Sequence, residues 1–129
     1  MIDRYLATTY EHYARGPDKF DCWGLVRDAR VEMFGKELLP SYCNTDPKDK
    51  KALTAGCKAV QAEIGFAPVA IRPGAIATAW RARLCVHVGI VVEADGALWI
   101  LETDEATGPC LTRPGRFAAR YTEVIYYDN

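Results

Sequence analysis

The stretch KFDCWGLVRDARVEMFG, residues 19–35, predicts a buried helix that begins directly after an acidic residue. Asp21 is a favoured N-cap residue, and Gly35 stands where such a helix would end. Four residues between them follow the four-three-four spacing of one helix face: Cys22, Val26, Ala29 and Met33. The helix therefore carries Cys22 in its first turn, on the face that turns toward the core.

Two further helices are predicted in the N-terminal half of the chain. Helical spacing of apolar residues predicts one over Asp3–Ala14, which breaks at Gly16-Pro17. The other has Asp46 as its cap and Pro47 in its first turn, and it ends before Gly65. Its predicted inward face consists of Leu53, Cys57, Val60 and Ile64.

After Gly65 the apolar pattern changes to a period of two, which is typical of strands. Four short segments rich in β-branched and aromatic residues follow: GAIATAW, VHVGIVVE, ALWIL and TEVIYY. Asp95-Gly96, between the second and the third, is a strong hairpin signal. Because helices come first and strands second, we expect one α+β domain over 1–129, with N-terminal helices packed on an antiparallel sheet.

Composition excludes several classes of protein. Half of the residues are apolar, a quarter are charged and the formal net charge is −1, so we expect no nucleic-acid partner. The first residues lack the apolar run of a signal peptide, and nothing approaches membrane-spanning length, which predicts a cytoplasmic product without a membrane partner. The five cysteines are irregularly spaced and form no C-x-x-C pair, so we expect no disulfide framework, metal or other cofactor.

Cys22 has two interpretations. The thiolate is the nucleophilic form of cysteine, and the unpaired N–H groups and positive dipole end of a helix start stabilise an anion there. We expect the carboxylate of Asp21 to turn back as a cap or to face a cationic substrate group, since it would otherwise oppose a thiolate. Buried helical cysteines are also common as inert packing residues, and spacing alone leaves both interpretations open.

A catalytic cysteine needs a base, and the chain has two histidines. His12 lies in a polar segment and is expected at the surface. His87 lies in the apolar stretch CVHVGIVVE, where an ionisable side chain is uncommon unless it is paired or has a function. Strand alternation places His87 on one face with Gly89 and Val91, and the glycine leaves room for another group beside the imidazole.

The predicted hairpin brings acids to His87. If Asp95-Gly96 is the turn, Glu102 lies diagonal to His87 and Asp104 opposite to it, and either acid could orient the ring. The same acids could instead form a merely solvated loop. Cys85 is expected on the strand face of His87, as a core residue rather than as a metal ligand or a rival nucleophile.

These motifs resemble a known family. FDCWGLV followed by HVGIVVEADGALWILE is similar to the Asp-Cys-x-Gly-Leu-Val and His-Val-Gly-Ile signatures of the NlpC/P60 cysteine peptidases. The resemblance implies a papain-like fold with Cys22 as nucleophile, His87 as base and Glu102 at the third catalytic position. It implies peptidoglycan stem peptides as substrates, cut between D-γ-glutamyl and a diamino acid. Tyr10 and Asp21 match positions associated with binding the N-terminal side of the substrate.

Two positions depart from the family pattern. Trp23 replaces the serine of many cell-wall members at a substrate-contact position, and so resembles variants found in phage tails and prophages. This resemblance makes phage tail components candidate partners and the virion a candidate location. Glu102 replaces the more common histidine and should raise the pKa of His87, which favours a thiolate–imidazolium pair. Two alternatives to a peptidoglycan hydrolase remain. One is a catalytically silent papain-like module with a structural or binding role in phage tail assembly. The other is an enzyme that uses the same residues to hydrolyse, or transfer an acyl group from, a different substrate.

Overall fold

A computed structural model of the protein describes residues 1–41 and 49–129, except for the side chains at positions 53, 57, 60, 61, 63 and 64. Its helices are α1 (Ile2–Leu6), α2 (Cys22–Phe34), α3 (Lys50–Ile64) and α4 (Pro114–Ala119). Its strands are β1 (Thr9–Tyr10), β2 (Lys19–Phe20), β3 (Ala67–Val69), β4 (Ile76–Arg81), β5 (Leu84–Ala94), β6 (Ala97–Asp104), β7 (Gly108–Thr112) and β8 (Glu123–Asp128).

Six strands form one antiparallel sheet in the order β3-β8-β4-β5-β6-β7, so the α+β class is confirmed. The hairpin between β5 and β6 has the predicted register, with Glu93 opposite Leu98. Asp95 and Gly96 have φ angles of 52° and 74°, the left-handed values that a tight Asp-Gly turn requires. The position of Glu102 relative to His87 follows from this local turn.

Helix α2 begins and ends as predicted. Asp21 Oδ1 accepts a hydrogen bond from the Gly24 backbone N–H at 2.8 Å, and Gly35 ends the helix with a φ of 63°. The inward face of α2 packs on the central strand β5. The main core lies between them and includes Leu25, Val26, Val88, Ile90 and Val92.

The first helix is shorter than predicted. It ends at Leu6, and the prediction that it continues to Ala14 is wrong. The Thr8 hydroxyl donates to the Tyr5 carbonyl at 2.6 Å, a local bond that competes with helix propagation. The chain then extends as β1, which pairs in parallel with β2 and places Tyr10 on a strand.

The third helix ends at Gly65 as predicted but begins at Lys50. Its cap is Asp49, whose carboxylate accepts from the Ala52 N–H at 3.1 Å. The predicted cap Asp46 and Pro47 lie outside the described residues. The same holds for the predicted inward side chains of this helix.

A β-bulge changes the face on which Cys85 lies. Ala79 pairs with His87 and Trp80 pairs with Cys85, so Val86 is an extra residue in β5. Cys85 consequently packs in the core between α2 and the sheet, and the prediction that it shares the face of His87 is wrong. Its assignment to the core is confirmed, since the side chain is fully buried.

Gly24 is required by a close approach of the chain. A Cβ at this position would lie 2.3 Å from the Ala14 carbonyl oxygen, and backbone cannot yield as a flexible side chain can. We expect Gly24→Ala to lower the free energy of unfolding in urea by about 1–3 kcal/mol. Gly115 in α4 is the matched control, because a Cβ there meets no atom within 4 Å. Gly115→Ala should be neutral or slightly stabilising, and equal stability of the two variants would contradict the steric explanation.

Candidate functional site

Cys22, His87 and Tyr10 line one cavity of about 290 Å³. The described residues around it come from parts of the chain far apart in sequence, which include β1, the first turns of α2 and α3, the end of β4, β5, the end of β6 and the turn after α4. The fold therefore brings together the two motifs that the sequence singles out.

Cys22 and His87 meet inside this cavity. Cys22 and His87 both line it, the Cys22 side chain interacts with the imidazole closely enough to raise the pKa of His87, and both residues are buried, with 4 % of Cys22 and 6 % of His87 exposed. Cys22 is the first residue of α2, so its sulfur lies at the positive end of the helix. The sequence predicted that Cys22 lies in the first turn of a helix, and the fold brings His87 close to it.

Glu102, rather than Asp104, is hydrogen-bonded to the His87 ring. Glu102 Oε1 lies 2.9 Å from His87 Nε2, which leaves Nδ1 as the ring nitrogen for the sulfur. Asp104 Oδ1 instead accepts the Ala106 N–H in the turn after β6. Gly89 on the same face as His87 leaves space chiefly for Ile100, because a Cβ there would lie 2.6 Å from Ile100 Cγ2, whereas its 3.5 Å distance to Glu102 Cβ would be an ordinary contact.

Two partners of Glu102 were missed by sequence analysis. The Thr112 hydroxyl donates to Oε2 at 2.5 Å, and Arg120 Nη2 donates to Oε1 at 2.7 Å and to Oε2 at 3.0 Å. A buried carboxylate on a strand needs a cation, so the arginines of RPGRFAAR were the available signal. Proline at the first helical position could have identified α4.

His87 and Glu102 each stabilise the charged form of the other. Burial alone would lower the pKa of His87, but its interactions with Cys22 and Glu102 outweigh burial and raise the pKa to about 9. Burial raises the pKa of Glu102, yet hydrogen bonds from His87, Thr112 and Arg120 hold it below its usual range. At neutral pH the site therefore contains an imidazolium next to a carboxylate, in the direction that the sequence predicted for His87.

The raised pKa of His87 makes the stability of the fold depend on pH. The native protein binds this proton more tightly than the unfolded chain, so the stabilisation is complete below pH 6.5 and lost as pH rises toward about 9. We expect the free energy of unfolding, measured in urea, to fall across this window. In His87→Gln the fall should be smaller, and an identical pH dependence in both proteins would contradict the assignment.

Tyr10, predicted from the family resemblance to bind substrate, lines the same cavity as Cys22. Burial raises the pKa of Tyr10, and electrostatic interactions with Cys22 and Asp21 add to the effect. Its hydroxyl is hydrogen-bonded to Nδ1 of His12 at 3.2 Å. His12, expected at the surface, is half-buried in the cavity wall, 3.7 Å from a Glu105 carboxylate oxygen.

Asp21 and Trp23, at the start of α2, form hydrogen bonds with other groups of the protein. The Asp21 carboxylate turns back as a cap, and it also accepts from Arg15 Nη1 at 2.6 Å and from the Tyr13 N–H at 3.2 Å. The indole N–H of Trp23 donates to the Pro40 carbonyl at 2.9 Å. Both residues are buried, and neither is among the described residues that line the cavity.

Charges of both signs surround the cavity. Lys50 and Arg81 contribute cations, and the Arg81 guanidinium lies 5.2 Å from the centre of the Tyr121 ring. Asp104 and Glu105 contribute carboxylates. The Tyr121 ring in turn stacks on His87 at 6.4 Å. The cavity is thus suited to a polar chain that carries both ammonium and carboxylate groups.

No family model, curated protein or solved structure matches the chain. Within the described part of the chain, no three His, Cys, Asp or Glu residues are grouped as a metal site would need. Among the described helices, none has the length and apolar character needed to cross a bilayer.

Proposed function

We propose that the protein is a thiol hydrolase with a papain-like fold, related to the NlpC/P60 peptidases, which cuts amide bonds of peptidoglycan stem peptides. One observation carries this proposal: Cys22 and His87 line the same cavity and interact there, and His87 is hydrogen-bonded through its ring nitrogen Nε2 to Glu102. A nucleophile, a base and a group that orients the base are the parts that thiol hydrolysis requires.

In the first half of the reaction, the Cys22 thiolate attacks the carbonyl carbon of the scissile amide. The developing oxyanion accepts a hydrogen bond from the Cys22 backbone N–H, which has no partner inside the helix because it lies in the first turn. The imidazolium of His87 gives its proton to the leaving nitrogen as the C–N bond breaks. An amine leaves and a thioester remains on Cys22.

In the second half, neutral His87 takes a proton from water, and the resulting hydroxide equivalent attacks the thioester. The C–S bond breaks, a carboxylic acid is released and the thiolate–imidazolium pair is restored. Glu102 holds the ring through Nε2 in both halves, so that Nδ1 faces the reacting atoms.

The charges of the cavity support a stem peptide as the substrate. Such a peptide, cut between D-γ-glutamyl and a diamino acid, carries carboxylates and an ammonium group close to the scissile bond. Lys50 and Arg81 can attract the carboxylates, and Asp104 and Glu105 can attract the ammonium group. In this proposal Tyr10 contacts the substrate on the side of the attacking sulfur.

Purified muropeptides that contain the D-γ-glutamyl–diamino acid bond provide the test. Wild type, Cys22→Ala and Cys85→Ala are incubated with them, and the products are identified by mass spectrometry. Wild type and Cys85→Ala should add one water across this bond, and Cys22→Ala should leave it intact. Equal cleavage by wild type and Cys22→Ala would remove Cys22 from the reaction. Absence of cleavage by wild type would exclude these peptides as substrates.

A further inference from the structure

We propose that Arg120 is a positioning residue, which holds the Glu102 carboxylate in the orientation in which it fixes the His87 ring. The part of this inference that concerns catalysis rests on the proposed hydrolase function. The part that concerns the orientation of His87 can be measured without a substrate.

A single nitrogen of Arg120 contacts both oxygens of Glu102. Nη2 lies 2.7 Å from Oε1 and 3.0 Å from Oε2, and Oε1 is also the oxygen that His87 Nε2 contacts at 2.9 Å. The Thr112 hydroxyl also donates to Oε2. These contacts fix the rotation of the carboxylate about its last bond, because turning it would break two charge-assisted bonds at once.

Glu102 depends on this cation because it is buried. Only 1 % of Glu102 is exposed, and a carboxylate out of water is costly unless it is paired. Among the described ion pairs of Glu102, the other cationic partner is His87 itself, whose proton leaves during the reaction. Arg120 therefore keeps the carboxylate paired while His87 is neutral.

The guanidinium of Arg120 is itself held in place. It lies 5.2 Å from the centre of the Phe117 ring and 5.3 Å from that of Tyr121. Both rings also pack on His87, with centroid distances of 6.0 Å and 6.4 Å. Arg120 and the imidazole thus share one aromatic support, and the Arg120 side chain, 41 % exposed, reaches Glu102 from the solvent side.

The first experiment compares Arg120→Gln, Arg120→Lys and the matched control Arg116→Gln, an exposed arginine in α4, the helix that Arg120 directly follows. We expect Arg120→Gln to lower kcat on the muropeptide by roughly ten- to a hundredfold, with a smaller change in KM, since a slightly misplaced base costs this much. Arg120→Lys should restore most of kcat, because one ammonium nitrogen can contact both oxygens as Nη2 does. Arg116→Gln should match wild type. An unchanged kcat in Arg120→Gln would overturn the proposal.

A double-mutant cycle with Glu102→Gln separates positioning from a general effect on the fold. If Arg120 acts through Glu102, adding Arg120→Gln to Glu102→Gln should cause no further loss of kcat. The double variant also contains no unpaired buried carboxylate, so it should fold even if Arg120→Gln alone does not. Losses of kcat that add in the cycle would overturn the proposal.

Nuclear magnetic resonance of the imidazole Nε2–H of His87 provides a readout that needs no substrate. The chain has two histidines, so His12→Gln assigns the signals. In wild type and Arg120→Lys we expect a slowly exchanging Nε2 proton, and in Arg120→Gln a signal broadened by exchange with water. The same slowly exchanging signal in Arg120→Gln would overturn the positioning role, even if wild type cleaves no muropeptide.

Discussion

The His87→Gln variant is expected to hydrolyse muropeptides about 10³-fold or more slowly than wild type, because it removes the group that carries the proton between thiol, leaving nitrogen and water. Glutamine cannot act as a general acid or base, because its amide neither gains nor loses a proton near neutral pH. Glu102 keeps Thr112 and Arg120 as partners, so the variant should still fold. Initial rates of amine release, measured beside an unfolding curve, give the loss of activity separately from any loss of stability.

The same rates test whether Cys22 and His87 act as one unit. Adding Cys22→Ala to His87→Gln should cost almost nothing further, since groups that act in one step are strongly non-additive. Two independent losses that multiply in the double variant would contradict a joint role. Such a result would favour a purely structural contact between the two side chains.

The second large effect concerns stability and lies away from the cavity. We expect Asp128→Asn to lower the free energy of unfolding by about 3–5 kcal/mol, the cost of leaving a buried charge without its partner. Arg30 is fully buried and donates to Asp128 Oδ1 at 3.1 Å and to the Gly74 carbonyl at 2.6 Å. This ion pair joins α2 to the last strand of the chain, β8.

Lys36→Gln is the matched control for this prediction. Lys36 lies 3.5 Å from the same Asp128 oxygen but is one-third exposed, so its removal should cost at most about 1 kcal/mol. Urea unfolding of the three proteins checks both values. A loss in Asp128→Asn no larger than that in Lys36→Gln would contradict the role assigned to the buried pair.

The parts of the site that the sequence predicted depend on local signals. Asp21 and Gly35 limit α2 through bonds and backbone angles within a few residues of themselves, so the position of Cys22 could be predicted. The Asp95-Gly96 turn sets the strand register, which brings Glu102 to His87. Each of these features is determined by residues within one helix or one hairpin.

The parts that sequence analysis missed depend on distant segments. Arg120 and Thr112 reach Glu102 only after α4 and β7 have packed beside β6. The bulge that turns Cys85 into the core arises from the pairing of β5 with β4. Arg15, which pairs with Asp21, directly follows the segment in which the second half of the predicted helix is replaced by a short strand and a turn.

Alkylation of Cys22 by iodoacetamide at about pH 6 tests most directly whether the sulfur and the imidazole form a reactive pair, because only a thiolate reacts rapidly there. Labelled sites are located by mass spectrometry in wild type and in His87→Gln. Cys22, though 4 % exposed, should react much faster in wild type than the half-buried Cys110, and this advantage should disappear in His87→Gln. A Cys22 that labels no faster than Cys110 in wild type would contradict the central claim.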